Sequence, residues 1–92
     1  MPGFIDIGTL IERSPEIRNN RPRIAGTGVT VERIVGWHNL GQAPEEIAAH
    51  WPHISLAHVH AALAYYYSNR QEIDASIADE DAAAEELLRS AN

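Results

Sequence analysis

Residues 30–69 read TVERIVGWHNLGQAPEEIAAHWPHISLAHVHAALAYYYSN, and this stretch predicts three helices. Thr30 is a suitable N-cap for a first helix over about residues 31–40, because its hydroxyl can accept a hydrogen bond from the first turn. Gly41 ends that helix, since glycine readily adopts the left-handed conformation that follows a helix. One face of this helix carries, at helical spacing, Val31, Ile34, Val35 and His38.

Two further helices are predicted in the same stretch. Pro44 suits the first position of a short second helix, which buries Ile47 and Ala48. Ser55 caps a third helix that ends at about Asn69. We expect its core face to hold Leu56, Val59, Leu63, Tyr66 and Tyr67, and its opposite face Ala57, His58, Ala61, Tyr65 and Asn69. The pattern predicts an all-α fold built on a three-helix helix-turn-helix.

The remaining segments are less regular. We expect a short β-type arm at residues 4–7, a turn or short helix at 14–17, a basic loop at 18–23 and a β-type turn at 24–29. After residue 70 the chain is rich in Ala and Glu, which favour helix, and has few large apolar residues. The sequence therefore divides into a helix-turn-helix domain with its N-terminal arm, residues 1–70, and an acidic helical tail, residues 71–92.

Charge is distributed unevenly between these two parts. The net charge is −6, yet residues 1–70 hold six arginines and six acidic residues. Residues 71–92 hold seven acidic residues and one arginine, so the whole excess lies in the tail. Negative charge argues against nucleic-acid binding, because the phosphates repel it. Here that argument applies to the tail alone.

Several classes of function are excluded or disfavoured by composition. The chain has no cysteine, which excludes disulfides, thiol catalysis and thiolate metal sites. No stretch approaches the roughly 18–20 apolar residues of a membrane span, and none has the length of a signal peptide, so we expect a cytoplasmic protein. The sequence contains no nucleophile motif, no glycine-rich phosphate loop and no paired carboxylates at an enclosed site, so we expect neither an enzyme nor a cofactor.

Five histidines raise the question of a metal site. His58 and His60 are two residues apart and therefore point to different faces of a helix. His50 and His53 lie on either side of a proline-containing turn. His38 lies on an apolar face, which is typical of a hydrogen-bonded core histidine. We therefore expect no metal site.

The helix-turn-helix interpretation predicts a DNA-binding surface. In such folds the N-terminal residues of the third helix face the bases in the major groove. We therefore expect Ser55 and His58 to contact bases, and Arg21, Arg23 and Arg33 to contact phosphates. The alternative interpretation is that these arginines are a solvated surface without a nucleic-acid partner.

Three blocks of sequence, taken in order, resemble one protein family. They are RPRIAGTGVTVERIV from residue 21, LGQAPEEIA from residue 40 and WPHISLAHVHAALAYYY from residue 51. Together they resemble domain-of-unknown-function family 433 over roughly residues 5–77. The resemblance implies a homeodomain-like helical fold and a role similar to that of VapB-type antitoxins, which are often encoded beside a PIN-like ribonuclease.

Two functional hypotheses follow. The first is an antitoxin of a type II toxin–antitoxin pair, which neutralises a PIN-like ribonuclease and binds operator DNA. The tail would then contact the toxin through Ile73, Ile77, Leu87 and Leu88, although it can also be interpreted as a solubilising end. The second is a protein-interaction module of the same fold without DNA binding. The small core and the position of Trp37 outside the core face favour a homodimer in both cases.

Overall fold

The computed structural model describes residues 10–16 and 20–90, which form four helices and a two-stranded sheet. In chain order the elements are β1 (Ile11–Glu12), β2 (Arg23–Ile24), α1 (Val31–Asn39), α2 (Pro44–Ala48), α3 (Leu56–Ser68) and α4 (Arg70–Ser90). The predicted mainly helical class is confirmed, and α1, α2 and α3 begin where their capping residues predicted. The arm expected at residues 4–7 lies outside the described residues.

The helix starts are fixed by side chains that accept backbone hydrogen bonds. The hydroxyl of Thr30 accepts the N–H of Arg33 at 3.2 Å, which satisfies a donor that lacks a partner inside the helix. At α2 the carboxylate of Glu46 accepts the N–H of Ala43 at 2.8 Å. Gly41 follows α1 with φ of +93°, as the predicted stop required.

The two strands form a short antiparallel pair ahead of α1. Ile11 lies opposite Ile24, and Glu12 opposite Arg23. The turn after β2 is closed by Thr27, whose hydroxyl donates to the carbonyl of Ile24 at 2.9 Å, and Gly26 has φ of +77°. Arg23 is a strand residue, so the prediction of a loop over residues 18–23 is wrong at its last position.

The core lies where α1, α2, α3 and the start of α4 meet. Its fully buried large side chains are Ile24, Val31, Ile34, Val35, Ile47, Val59 and Ile73. The predicted core face of α1 is therefore right in its aliphatic residues. On α3 the buried positions Val59, Ala62, Leu63 and Tyr66 follow the spacing i, i+3, i+4 and i+7, and Ala61 is buried beside them.

The prediction for α3 was wrong at three residues. Leu56 and Tyr67 are 43% and 56% exposed, whereas Ala61 is buried. Leu56 lies in the first turn of α3, one turn before the first buried position. Tyr67 lies at the edge of the buried face, where its hydroxyl bonds to His38 at 2.9 Å. The side of α3 that bears Ala61 is covered by the protein rather than exposed.

Helix α4 follows α3 after a single residue, and its two ends differ. Residues 70–80, called here the docked segment, place Ile73 in the core with 1% exposure and pack Ile77 against it. Residues 81–90, the projecting segment, are all exposed. The boundary expected between residues 70 and 71 falls in the first turn of α4. The docked segment, which follows that boundary, contributes Ile73 to the core.

Candidate functional site

The N-terminus of α3 carries the two residues expected to read bases. The hydroxyl of Ser55 accepts the N–H of His58 at 3.2 Å, and Nδ1 of His58 accepts the N–H of Ser55 at 2.9 Å. This reciprocal arrangement caps the helix and commits one ring nitrogen of His58 to the cap. The exposed neighbours Leu56 and Ala57 have no polar side-chain group with which to contact a base edge.

Two of the three expected phosphate-binding arginines are held in ion pairs. Arg23 is 5% exposed; it donates to a carboxylate oxygen of Glu12 at 2.9 Å and through Nε to the carbonyl of Thr27 at 2.9 Å. Arg21 bonds to both Glu32, at 2.8 Å, and Glu80. Both guanidinium groups therefore already have carboxylate partners within the chain.

The environment of Arg21 stabilises its protonated, positively charged form. Partial burial lowers the pKa of Arg21, but hydrogen bonds and the charges of Glu80 and Glu32 outweigh that effect and raise it above the usual value. Because Glu32 comes from α1 and Glu80 from α4, Arg21 connects the two helices. Its structural role is to hold the docked segment against the body.

Arg33 is the remaining arginine of the expected DNA-binding set, and it is exposed. It lines an open depression of about 470 Å³ together with Trp51 and His53. Of the residues expected to bind DNA, the accessible ones are thus Arg33, Ser55 and His58. His53 and Trp51 were not among the residues expected to bind DNA, and their spacing in the sequence does not indicate that they lie near Arg33.

The four residues expected to bind a partner divide into two groups. Ile73 belongs to the core, and Ile77 is partly buried against it. Leu87 and Leu88 lie in the projecting segment and are 72% and 69% exposed. Another protein can cover Leu87 and Leu88, and the accessible part of Ile77, without opening the core, whereas Ile73 is out of reach.

Within the described part of the chain, three of the seven tail carboxylates are bonded to residues outside α4. Glu72 accepts a hydrogen bond from Arg13 at 2.6 Å, and Asp74 accepts one from the hydroxyl of Tyr66 at 2.8 Å. Glu80 bonds to Arg21, as described above. The acidic tail is therefore only partly a solvated surface, because half of it provides ion pairs and hydrogen bonds that fasten α4.

A groove of about 270 Å³ separates α1 from α4. Its apolar surface comes from Gly36, Trp37, Leu40 and Ile77. Its charged surface comes from Glu32, Arg33, Glu80 and Asp81. We call it the α1–α4 groove. It is continuous along α4 with the projecting segment, so the groove and the exposed leucines lie along the same helix.

The histidines have separate roles. His38 bonds to Tyr67, and His50 stacks on Trp37 with ring centroids 4.1 Å apart. His58 caps α3. Over residues 10–16 and 20–90, no three histidine, aspartate or glutamate side chains lie together as a metal would need.

Sequence reasoning missed several groove residues. Glu32 lies in the first turn of α1, yet it is 7% exposed and paired with Arg21. Leu40 follows the end of α1 and is 76% exposed. A usable signal was Gly36, since glycine in a helix interior is unfavourable and needs a reason. The α4 side of the groove could not be found without knowing where α4 packs.

Comparison with known proteins gives a family and one solved relative. Residues 11–66 match a family model described as "Protein of unknown function (DUF433)". A crystal structure of a DUF433 member protein from Anabaena variabilis ATCC 29413 is similar, with TM-score 0.72 and 28% sequence identity. The similarity covers 76% of this chain and 69% of that one. No curated protein matches the sequence. Among the described residues, no helix is long and apolar enough to cross a membrane.

Proposed function

The chain belongs to the DUF433 family, and we propose that it is an antitoxin that neutralises a PIN-like ribonuclease by binding it with the exposed surface of α4. The observation that carries this proposal is the projecting segment. It is a helix that extends beyond the body, and it exposes Leu87 and Leu88 at 72% and 69%.

Both the apolar and the charged side chains of this segment suit such a partner. Adjacent exposed leucines on a helix are typical of a surface that another protein covers. Asp81, Glu85 and Glu86 surround them, with Arg89 as the single basic residue. A ribonuclease must attract phosphates, so the surface around its active site is basic. An acidic helix laid on that surface would be attracted to it and would block access to RNA.

Binding of operator DNA is the second part of the antitoxin proposal. Arg33, Ser55 and His58 would form its contact surface, with the N-terminus of α3 directed at the DNA. The competing candidate is a homodimeric protein-interaction module of the same fold that does not bind DNA. The ion pairs of Arg21 and Arg23 favour that candidate, because each pair would have to be broken or shared before its guanidinium could bind a phosphate.

Inhibition of the neighbouring gene product tests the antitoxin role. The wild-type chain should bind that protein and suppress its ribonuclease activity. The double substitution Leu87→Asp and Leu88→Asp should weaken binding by about tenfold or more, as loss of a central apolar contact does. Leu56→Asp changes an exposed leucine on α3 and is the matched control. Equal inhibition by all three chains would contradict a role for the projecting segment.

A mobility-shift titration at several salt concentrations separates the two candidates. If the body binds operator DNA, Arg33→Ala should reduce the slope of log affinity against log salt concentration by about one, the contribution of a single phosphate contact. Arg89→Ala, in the projecting segment, is the control and should leave that slope unchanged. No shift of the upstream DNA by the wild-type chain at low salt would leave the interaction module as the better description.

A further inference from the structure

Gly36 lines the α1–α4 groove, and the space next to it is open. It lies in the interior of α1, where glycine costs about 0.5–1 kcal/mol relative to alanine. A Cβ atom built on Gly36 would meet nothing within 4 Å. No neighbour in the described chain therefore requires a glycine there. The missing side chain leaves space that an external group can fill.

Large apolar side chains surround this space. Leu40 is 76% exposed, and Trp37 and Ile77 are partly buried. Trp37 is held in place because its ring stacks on His50 at 4.1 Å and 14°. The groove thus has the stacked ring of Trp37 on one side, the exposed Leu40 beside it and open space next to Gly36. This arrangement suits the binding of an apolar side chain.

Glu32 lines the same groove, and one of its two carboxylate oxygens lacks a donor within the described part of the chain. Glu32 is 7% exposed, and its Oε1 accepts the hydrogen bond from Arg21. Its Oε2 is buried and has no hydrogen-bond partner among the residues that the structure describes. A buried acceptor without a donor is unfavourable and calls for an explanation. A small rotation of the Glu32 carboxylate would let Oε2 accept a hydrogen bond from an ammonium or guanidinium group in the groove.

The charges around the groove favour a cationic occupant. Glu32, Glu80 and Asp81 outnumber the guanidinium groups of Arg33 and of Arg21, which bonds to the first two. The projecting segment extends this negative surface with Glu85 and Glu86. A second copy of the chain that brought its own α4 to the groove would place like charges together, so a basic partner is favoured over self-association.

From these observations we propose that the α1–α4 groove binds a short segment of the partner protein that carries an apolar side chain next to an arginine or lysine. The apolar side chain fills the space over Gly36, between Trp37 and Ile77. The cationic group lies against Glu32 and the acidic rim. The identity of the partner rests on the proposed antitoxin function, whereas the chemistry of the bound segment rests on the groove alone.

Substitution at Gly36 tests the site without disturbing the core. Gly36→Phe fills the groove, and Gly36→Ala is the matched control because it adds a single methyl group where there is room. The probe is a fluorescent peptide with leucine and arginine at helical spacing, measured by anisotropy. We expect the wild type and Gly36→Ala to bind it alike, and Gly36→Phe to bind about tenfold or more weakly. Circular dichroism and thermal unfolding establish that both variants are folded.

Two further peptides separate the parts of the proposal. Replacing the arginines of the probe by glutamate, or its leucines by serine, should each abolish measurable binding. A second variant, Leu40→Ser, changes an exposed side chain and should weaken binding of the original probe. Unchanged binding of the probe to Gly36→Phe and Leu40→Ser overturns the proposal, as does binding of the glutamate peptide as tightly as the arginine peptide.

The same variants distinguish failure of this inference from failure of the proposed function. If Leu87→Asp with Leu88→Asp loses the neighbouring gene product while Gly36→Phe retains it, the antitoxin role stands and the groove assignment falls. If the wild type binds the peptide but not that gene product, the groove stands and the antitoxin role falls. If sedimentation shows that Gly36→Phe converts a dimer to a monomer while peptide binding is unchanged, the groove is a self-association site and the proposal is overturned.

Discussion

The two parts of helix α4 have similar compositions and different environments. The docked segment, residues 70–80, buries Ile73 and fastens its carboxylates to Arg13, Tyr66 and Arg21. The projecting segment, residues 81–90, is exposed throughout, and an ion pair within the helix joins Glu85 and Arg89 at 3.7 Å. Both parts are rich in alanine and acidic residues. The comparison shows that a few well-placed apolar side chains and basic partners, rather than overall composition, decide which part belongs to the fold.

The largest expected effect concerns Ile73. Ile73→Ala removes a fully buried side chain at the junction of α4 with the body, so it should lower the free energy of unfolding by about 2–5 kcal/mol. Leu87→Ala, in the projecting segment, should change it by less than about 0.5 kcal/mol. Urea denaturation measures both.

A truncation after residue 80 is the control for that comparison. It removes the projecting segment alone and should leave the unfolding midpoint close to that of the full chain, because the core side chains of α4 are kept. Equal small losses from Ile73→Ala and Leu87→Ala would mean that α4 does not pack on the body.

An intermediate effect is expected where the two segments meet. Arg21→Ala leaves the buried Glu32 without its cationic partner, which should cost about 1–3 kcal/mol in the free energy of unfolding. Glu80→Gln removes only the more exposed partner of Arg21 and should cost about 0–1 kcal/mol. If Glu80→Gln proves as destabilising as Arg21→Ala, the docked segment depends on this ion pair more than on Ile77.

The smallest effect concerns the contact between Tyr66 and Asp74. The hydrogen bond to Asp74 raises the pKa of the Tyr66 hydroxyl, and burial raises it further. The folded state therefore favours the protonated phenol. Its contribution to stability is fully present below the unfolded pKa of about 10 and is lost as the pH rises through the higher folded pKa.

Unfolding measured across the alkaline range tests this linkage. Stability of the wild type should fall above about pH 10, and Tyr66→Phe should fall less steeply because the titrating group is gone. At neutral pH the substitution should cost about 1 kcal/mol, the usual worth of one hydrogen bond. Tyr67→Phe, on the exposed edge of α3, is the control, because it removes a tyrosine hydroxyl that bonds to His38 instead of Asp74. A slope that is the same in Tyr66→Phe and wild type would place the alkaline transition elsewhere.

Local signals in the sequence were sufficient for the positions of α1, α2 and α3. Thr30, Pro44 and Ser55 mark helix starts because capping depends on residues within one turn of each other. The core face of α1 followed from spacing for the same reason. The core face of α3 was less well predicted, since its aromatic residues suit both a buried and an exposed edge. Tyr66 is buried and Tyr67 is exposed, although both are tyrosines at neighbouring positions.

The candidate sites were predicted less completely. Leu87 and Leu88 are exposed, as a partner-binding role requires. Arg21 and Arg23 were expected on an open surface, but their carboxylate partners are Glu32, Glu80 and Glu12. Two of those pairs join residues 11 positions apart and one joins residues 59 positions apart. Spacing within one helical turn carries no information about pairs so far apart in the sequence.

By itself the sequence determined the mainly helical class, the starts of three helices, the family and the confinement of net negative charge to the last part of the chain. Each of these depends on residue identity or on short-range spacing. Only the tertiary structure decided that Ile73 is a core residue, that Arg21 joins α1 to α4, and that Gly36 opens a groove between them. Those features arise from contacts between distant parts of the chain, whose geometry is set by how the helices pack and is not encoded in any single segment.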